Sequence, residues 1–422
     1  MGKTPWKSSY LKAITTLVSG SVIAQVFTLI CSPILTRICS PEDLGIYSLV
    51  TGAVTMFGTI MSLRYEICIV SEPEEEKVWP LIKLSALLCI ALSIIIACGY
   101  LIYFYLIDIN AHFILLALAT GLLVLLMGFI NIVTAFNNRQ QDYKLITKTY
   151  VVRVFCQNVC NLIASFIGTG AVGLSFSQFI GYVAGVRGQV KPMLKHKDRI
   201  LHASSKEIKA VACDNRKQAL VSAPATLANG LSYSLINYFI EALFTTTVVG
   251  YYSISYRILG LPATIISTNV SRVFLEKASR EYQEKGHFKK SYLYTVAILA
   301  AIGVPIGAVM ILAAPKLCEL VFGHGWGVAG VYIRLLTPMF ILRFIAGGVN
   351  CAAIIVNKQQ YDFFIQTLLT IAVVGLFIYA SANSLSIETF LIWINLAFSV
   401  IYIAYLLLFW RCACMKAKNG KE

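Results

Sequence analysis

Five arginines stand inside apolar stretches of this chain: Arg64, Arg153, Arg257, Arg334 and Arg343. A charged side chain at the centre of a membrane-spanning helix costs about 2.5–3.5 kcal/mol on insertion scales, so water, a carboxylate or an anionic ligand must stabilise it. Arg257 and Arg343 lie near the middle of their stretches, too deep to reach the interface, and Arg64 is displaced from the middle of its own. For these three, two readings stand side by side: a wet basic cavity that receives something negative, or structural ion pairs. Arg153 and Arg334 sit near the ends of their stretches, where snorkelling or plain packing suffices.

Helical spacing adds polar stripes. Asn229, Tyr233, Asn237 and Glu241 recur every fourth residue, as do Arg153, Gln157, Asn161 and Ser165, which places each set on one helix face. The second stripe reads best as helix–helix hydrogen bonding. The first carries a carboxylate and suits a cavity wall equally well. Arg343, Gly347 and Asn350 share a face. At about 100° per residue, Arg64 and Glu66 should point to nearly opposite faces of one helix.

The elements that must hold these residues are membrane spans. Hydrophobic residues make up 58% of the 422 and charged ones 13%, with a mean hydropathy of +0.75, whereas soluble proteins average roughly 25% charged. Apolar runs long enough to cross about 30 Å of hydrocarbon as helices fall near residues 13–36, 44–70, 81–106, 112–137, 146–168, 171–190, 218–243, 247–271, 291–314, 328–356, 362–382 and 387–410. Twelve spans divide into an N-terminal six-helix lobe (1–190), a basic linker (191–217), a C-terminal six-helix lobe (218–410) and a tail (411–422). Of the 35 Lys and Arg, 28 fall on the N-terminal arm, the even-numbered connections and the tail, with their immediate flanks. By the positive-inside rule both termini are cytoplasmic and the linker lies on anionic lipid. This asymmetry, rather than nucleic-acid binding, accounts for the net charge of +15.

The halves repeat one another. Leu44-Gly45-Ile46-Tyr47-Ser48 is echoed 205 residues later by Val249-Gly250-Tyr251-Tyr252-Ser253, and Asn138-Arg139-Gln140-Gln141 after 219 residues by Asn357-Lys358-Gln359-Gln360. Lobes with even span numbers have the same orientation, so a pseudo-two-fold axis along the membrane normal should relate them, with a substrate path between. Pro33, Pro224, Pro262, Pro305 and Pro338 should interrupt spans, which suits lobes that rock. The sequence contains no P-loop, no His pair with metal-ligand spacing and no G-x-S-x-G elbow, so no catalytic residue, metal or cofactor is expected. The twelve Cys sit mostly in apolar runs, where they act as small hydrophobes.

The stretch Leu35-Thr36-Arg37 followed by Ser40-Pro41-Glu42-Asp43-Leu44-Gly45-Ile46-Tyr47-Ser48 resembles Wzx-type polysaccharide exporters of the multidrug/oligosaccharidyl-lipid/polysaccharide (MOP) superfamily. That resemblance implies an inner-membrane flippase moving an undecaprenyl-diphosphate-linked oligosaccharide, an O-antigen or capsule repeat unit, by alternating access. It also implies cavity arginines against the diphosphate. Arg64 and Arg257 match those places and Arg343 joins them, although Asn269 stands at the repeat counterpart of Arg64. Asn229, Tyr233 and Asn237 would then meet sugar hydroxyls, and Glu241 or Glu66 would couple transport to protons or sodium. The partners so implied are the lipid-linked oligosaccharide, membrane lipids, a polysaccharide polymerase and a chain-length regulator. A multidrug exporter of the same superfamily and a membrane-embedded polymerase are the alternatives; the first should favour acidic cavity residues, the second a large outer loop.

Overall fold

The computed structural model describes residues 5–107, 113–356, 358 and 360–415, and among them all regular structure is helical. The chain forms two compact units, Met1–Ser234 and Leu235–Glu422. The first contains α1 (Pro5–Ile38), α2 (Pro41–Phe57), α3 (Glu66–Ser71), α4 (Glu75–Leu106), α5 (Phe113–Arg139), α6 (Tyr143–Ile167), α7 (Gly170–Leu194) and the short α8 (Lys197–His202) and α9 (Ser205–Asp214). Helix α10 (Ala223–Leu243) leads into the second, which holds α11 (Thr246–Lys285), α12 (Lys289–Phe322), α13 (Gly327–Gly348), α14 (Ala352–Ile355), α15 (Gln360–Asn383) and α16 (Ile387–Cys414).

Among the described residues, nine helices are long and apolar enough to cross a membrane. The other three spans read from the sequence fall on α2 with α3, on α7 and on α10. Apolar side chains point outward, with Ile95 65% and Leu312 79% exposed. Such a surface belongs in lipid, and the chain is a multi-pass membrane protein.

The repeat is visible at helix starts. Ser40 caps α2 by accepting from the Asp43 amide, and Thr245, 205 positions later, caps α11 by accepting from Val248. Leu44 and Tyr47 are buried, and so are their counterparts Val249 and Tyr252. Packing repeats too: α5 packs on α4 and α7 in the first unit, and α13 packs on α12 and α16 in the second. In the first unit Asp43 also accepts from the Ala171 amide at the start of α7, at 3.2 Å. Gly170 makes that approach feasible. Its φ is +59°, and a Cβ there would lie 2.6 Å from the Asp43 carboxylate.

Two spans differ from the expectation. The stretch 44–70 is not one helix but α2 and α3, separated by a tightened segment with i→i−3 bonds such as Ile60 N–H to Phe57 O and Leu63 N–H to Ile60 O. Leu63 (φ 48°) and Arg64 (φ 66°) are left-handed, a conformation costing about 1–2 kcal/mol per residue. The stretch 328–356 likewise ends its long helix at Gly348. Asn350 therefore lies beyond the helix that was to align it with Arg343, and it accepts from Ser271 Oγ at 2.6 Å. Where the first unit breaks, α11 runs on unbroken, and Asn269 donates to its own helix at Ile265 O. Pro224 does not interrupt a span; it stands in the first turn of α10, directly after a π-helical turn at Gln218–Ser222.

Helix α5 accommodates the break. A Cβ on Gly128 would lie 2.7 Å from Cys89 Sγ and 2.8 Å from Met61 Cβ. Gly99, near the C-terminal end of α4, has nothing within 4 Å of its would-be Cβ. Gly128→Leu should therefore destabilise the protein by about 1–3 kcal/mol through overpacking. Gly99→Ala should be neutral or stabilise by about 0.4–1 kcal/mol. Thermal melts of both variants in detergent check the contrast.

Candidate functional site

The break in the second span concentrates polar chemistry. Because the helix is interrupted, Arg64 and Glu66 do not face opposite ways; the left-handed turn swings the guanidinium back, and Arg64 Nη1 lies 3.5 Å from Glu66 Oε1. Helical wheel geometry fails here because it presumes an unbroken helix. Glu66 also accepts a short hydrogen bond from Ser62 Oγ. The Arg64 contact is longer than the 2.7–2.9 Å typical of a charge-assisted bond, and Arg64 Nε is buried without a hydrogen-bond partner. Protein groups thus use only part of this guanidinium.

Neighbouring helices satisfy the backbone that the break releases. Asn131 Nδ2 donates to Gly58 O at 2.9 Å. Arg139 Nη1 donates to Ile69 O at 3.1 Å and also to Glu72 O, closing the end of α3. Tyr65 OH donates to Ala212 O in α9, tying the break to the basic linker. The linker in turn sits on the start of α4, where Lys83 Nζ donates to Leu201 O and Ala203 O at 2.7 and 2.8 Å, and Arg199 pairs with Glu75 at 3.4 Å.

A cavity of about 290 Å³ opens in the first unit beside these groups, lined by Asn131, Thr134, Thr149, Arg153 and Gln189 among others. Gln189 accepts from Thr134 Oγ1 and donates to Thr149 Oγ1. Arg153 is stacked between Tyr150 and Tyr182, 5.0 and 5.3 Å from the ring centroids. The sequence reading passed over Asn131, Thr134 and Gln189. The signal available for them was weak: Asn131 and Thr134 three apart, Gly185 and Gln189 four apart. Two other members of the α6 stripe bond outside their own helix, whereas Asn161 Oδ1 is buried without a hydrogen-bond donor. Gln157 donates to Tyr47 OH, and Ser165 Oγ accepts from Cys39 Sγ.

In the second unit Arg343 on α13 donates to Tyr256 OH at 3.0 Å and lies 5.4 and 5.5 Å from the ring centroids of Tyr256 and Phe340. Arg257 follows Tyr256 on α11, half-buried and engaged with neighbouring groups. Arg334 has a structural task. Pro315 lacks the amide that would bond Ile311 O, and Arg334 Nε donates to that carbonyl at 2.8 Å. Positions 229, 233, 237 and 241 do share one face of α10. Asn237 Oδ1 is buried without a hydrogen-bond donor, Tyr233 and Glu241 are half-buried and engaged, and the Asn229 side chain lies outside the described residues. Among the described residues no cluster of His, Cys, Asp or Glu could hold a metal ion.

Residues 34–330 match the polysaccharide biosynthesis protein family. No curated protein matches the sequence. Solved structures share the fold. An inward-facing multidrug resistance MATE family transporter of the MOP superfamily aligns with a TM-score of 0.70 at 15% identity, covering 94% of this chain and 96% of that one. Lipid II flippase MurJ, in an inward closed conformation, aligns with 0.70 at 13% identity over 93% and 87%. A MOP transporter from Pyrococcus furiosus, described as having a binding pocket of reverse polarity, aligns with 0.60 at 16% identity over 94% of each chain. The fold is therefore the twelve-helix, two-lobe fold of MOP transporters.

The Arg64–Glu66 pair gives a direct test. Glu66→Gln keeps the shape but strips the carboxylate from a partly buried guanidinium. It should cost about 1–3 kcal/mol, read as a lower melting temperature, and Arg64→Gln added to it should recover part of the loss. Equal melting of Glu66→Gln and wild type would show that the pair carries no stability.

Proposed function

Because the chain belongs to the polysaccharide biosynthesis protein family, we propose that it is a flippase that carries a polyprenyl-diphosphate-linked oligosaccharide across a bacterial inner membrane. The observation that carries the reading is Arg64: a membrane-level guanidinium at a helix break, one nitrogen unpartnered and one long ion pair. A diphosphate supplies the charge-assisted acceptors it lacks. Broken helices are a recurrent way for transporters to present polar groups to a cargo at membrane depth. Arg257 and Arg343 provide further positive charge, and Asn237 Oδ1 is an unused acceptor for a sugar hydroxyl; Asn229 and Tyr233 extend its stripe. The prenyl tail stays in lipid while the two lobes alternate access to the head group.

Glu66 pairs with Arg64, so its protonation would release the guanidinium to the cargo; Glu241 is the second coupling candidate. The termini and the basic linker lie on the cytoplasmic side, following the positive charge. A polymerase and a chain-length regulator would take the product at the outer face. The family match and the shared fold with a lipid II flippase support the reading.

In cells dependent on this gene, Arg64→Ala and Arg257→Ala should each lower surface polysaccharide by about 10- to 100-fold, the loss of one or two charged hydrogen bonds to phosphate, at unchanged protein level in the membrane. Lipid-linked repeat units should accumulate inside. Full display by either variant removes that arginine from the mechanism. A deletion strain that still displays single repeat units would indicate a polymerase, and one altered only in drug susceptibility a multidrug exporter.

A further inference from the structure

Helices α11 and α12 form a hairpin closed by Gly286 in the left-handed conformation, φ 70°. Away from its turn the two helices leave a groove. At the turn end it holds about 760 Å³, with Val273, Lys277 and Arg280 on one wall and Lys290, Tyr294 and Ile298 on the other. Phe274 and Tyr292 pack edge to face behind it. Deeper, the same helix pair bounds a narrower apolar space of about 110 Å³ at Pro262, Ile266, Gly303 and Gly307, floored by Phe340 and Phe344 of α13.

The groove is polar at one end only, and that end is basic. Its acids are Glu281 and Glu284. Glu281 is committed: its carboxylate accepts from the amides of Lys290 and Ser291 at 3.3 and 2.8 Å, capping α12. Among the described residues, Lys277, Arg280 and Lys290 form no ion pair; the Lys277 ammonium lies 6.0 Å from the Tyr294 ring centroid, across the mouth. From Lys277 to Pro262 the helix rises about 22 Å. One leaflet, headgroups included, is about 20–22 Å deep.

We propose that this groove is a binding site for one anionic phospholipid, its phosphate among Lys277, Arg280 and Lys290 and an acyl chain laid along α11 and α12 to Gly303. The rise from the basic cluster to Pro262 matches one leaflet, the depth a phospholipid occupies, whereas a long polyprenyl chain would run past it. The site is independent of what the protein transports.

Native mass spectrometry of the full-length protein in detergent, with phosphatidylglycerol, phosphatidylethanolamine and undecaprenyl phosphate added in turn, tests this. Phosphatidylglycerol should be retained about tenfold or more over phosphatidylethanolamine. Lys277→Gln/Arg280→Gln/Lys290→Gln should abolish the preference, while Lys144→Gln/Lys148→Gln at the exposed start of α6 should not. Phosphatidylglycerol bearing a photoactivatable acyl chain should crosslink wild-type protein within α11 and α12, a readout that needs no variant. Equal retention of the two phospholipids, an unaltered preference in the triple variant, or crosslinks confined to other helices would overturn the proposal. Undecaprenyl phosphate displacing phosphatidylglycerol from the groove would overturn it too, and assign the groove to a carrier lipid.

Discussion

A peptide carbonyl or guanidinium carried into hydrocarbon has no water to bond, so a departure from plain helix must be compensated by protein. In this chain the compensations can be named. Asn131 takes the Gly58 carbonyl at the break in the second span, Arg139 closes the end of α3, and Arg334 takes the carbonyl that Pro315 leaves open. Pro338 is followed by Met339, whose amide donates to Asn395 of α16 at 2.9 Å. Several polar side chains inside the bundles are thus spent on backbone, while others, Arg64 Nε and Asn237 Oδ1 among them, keep hydrogen-bonding capacity.

The two units share a plan and differ in where they depart from it. The cap and buried positions that open α2 recur 205 residues later at α11, and helix neighbours recur with them. Yet the first unit interrupts its second span and the second unit its fourth. The break of the first unit is built from small and amide side chains on α5, Gly128 and Asn131. It is also tethered through Tyr65 to the basic linker. Arg64 is thus held by left-handed backbone and one carboxylate, next to a residue that contacts the linker.

Much was legible beforehand because it depends on local composition. Apolar length defines a span, and Ser40-Pro41-Glu42-Asp43 is a helix start in any context. The repeated segments 205 residues apart carried the duplication. What escaped were the places where one helix alters another. Arg64 and Glu66 seemed opposed because spacing describes a regular helix, and nothing local in residues 58–65 beyond Gly58 announces the break. Asn131, Thr134 and Gln189 surround a common cavity only once α5, α6 and α7 are packed.

By itself the sequence determined the membrane setting and the six-plus-six plan, and named candidates for meeting an anion, since hydropathy, charge and periodicity are properties of short stretches. Tertiary structure decided which of those residues are consumed by packing and which are left with capacity. Arg334 is spent on a carbonyl, Arg343 is stacked on two rings, and Arg64 is turned onto Glu66 with a nitrogen to spare. The reason is that hydrogen-bond satisfaction in lipid is settled between helices, by neighbours far away in the chain.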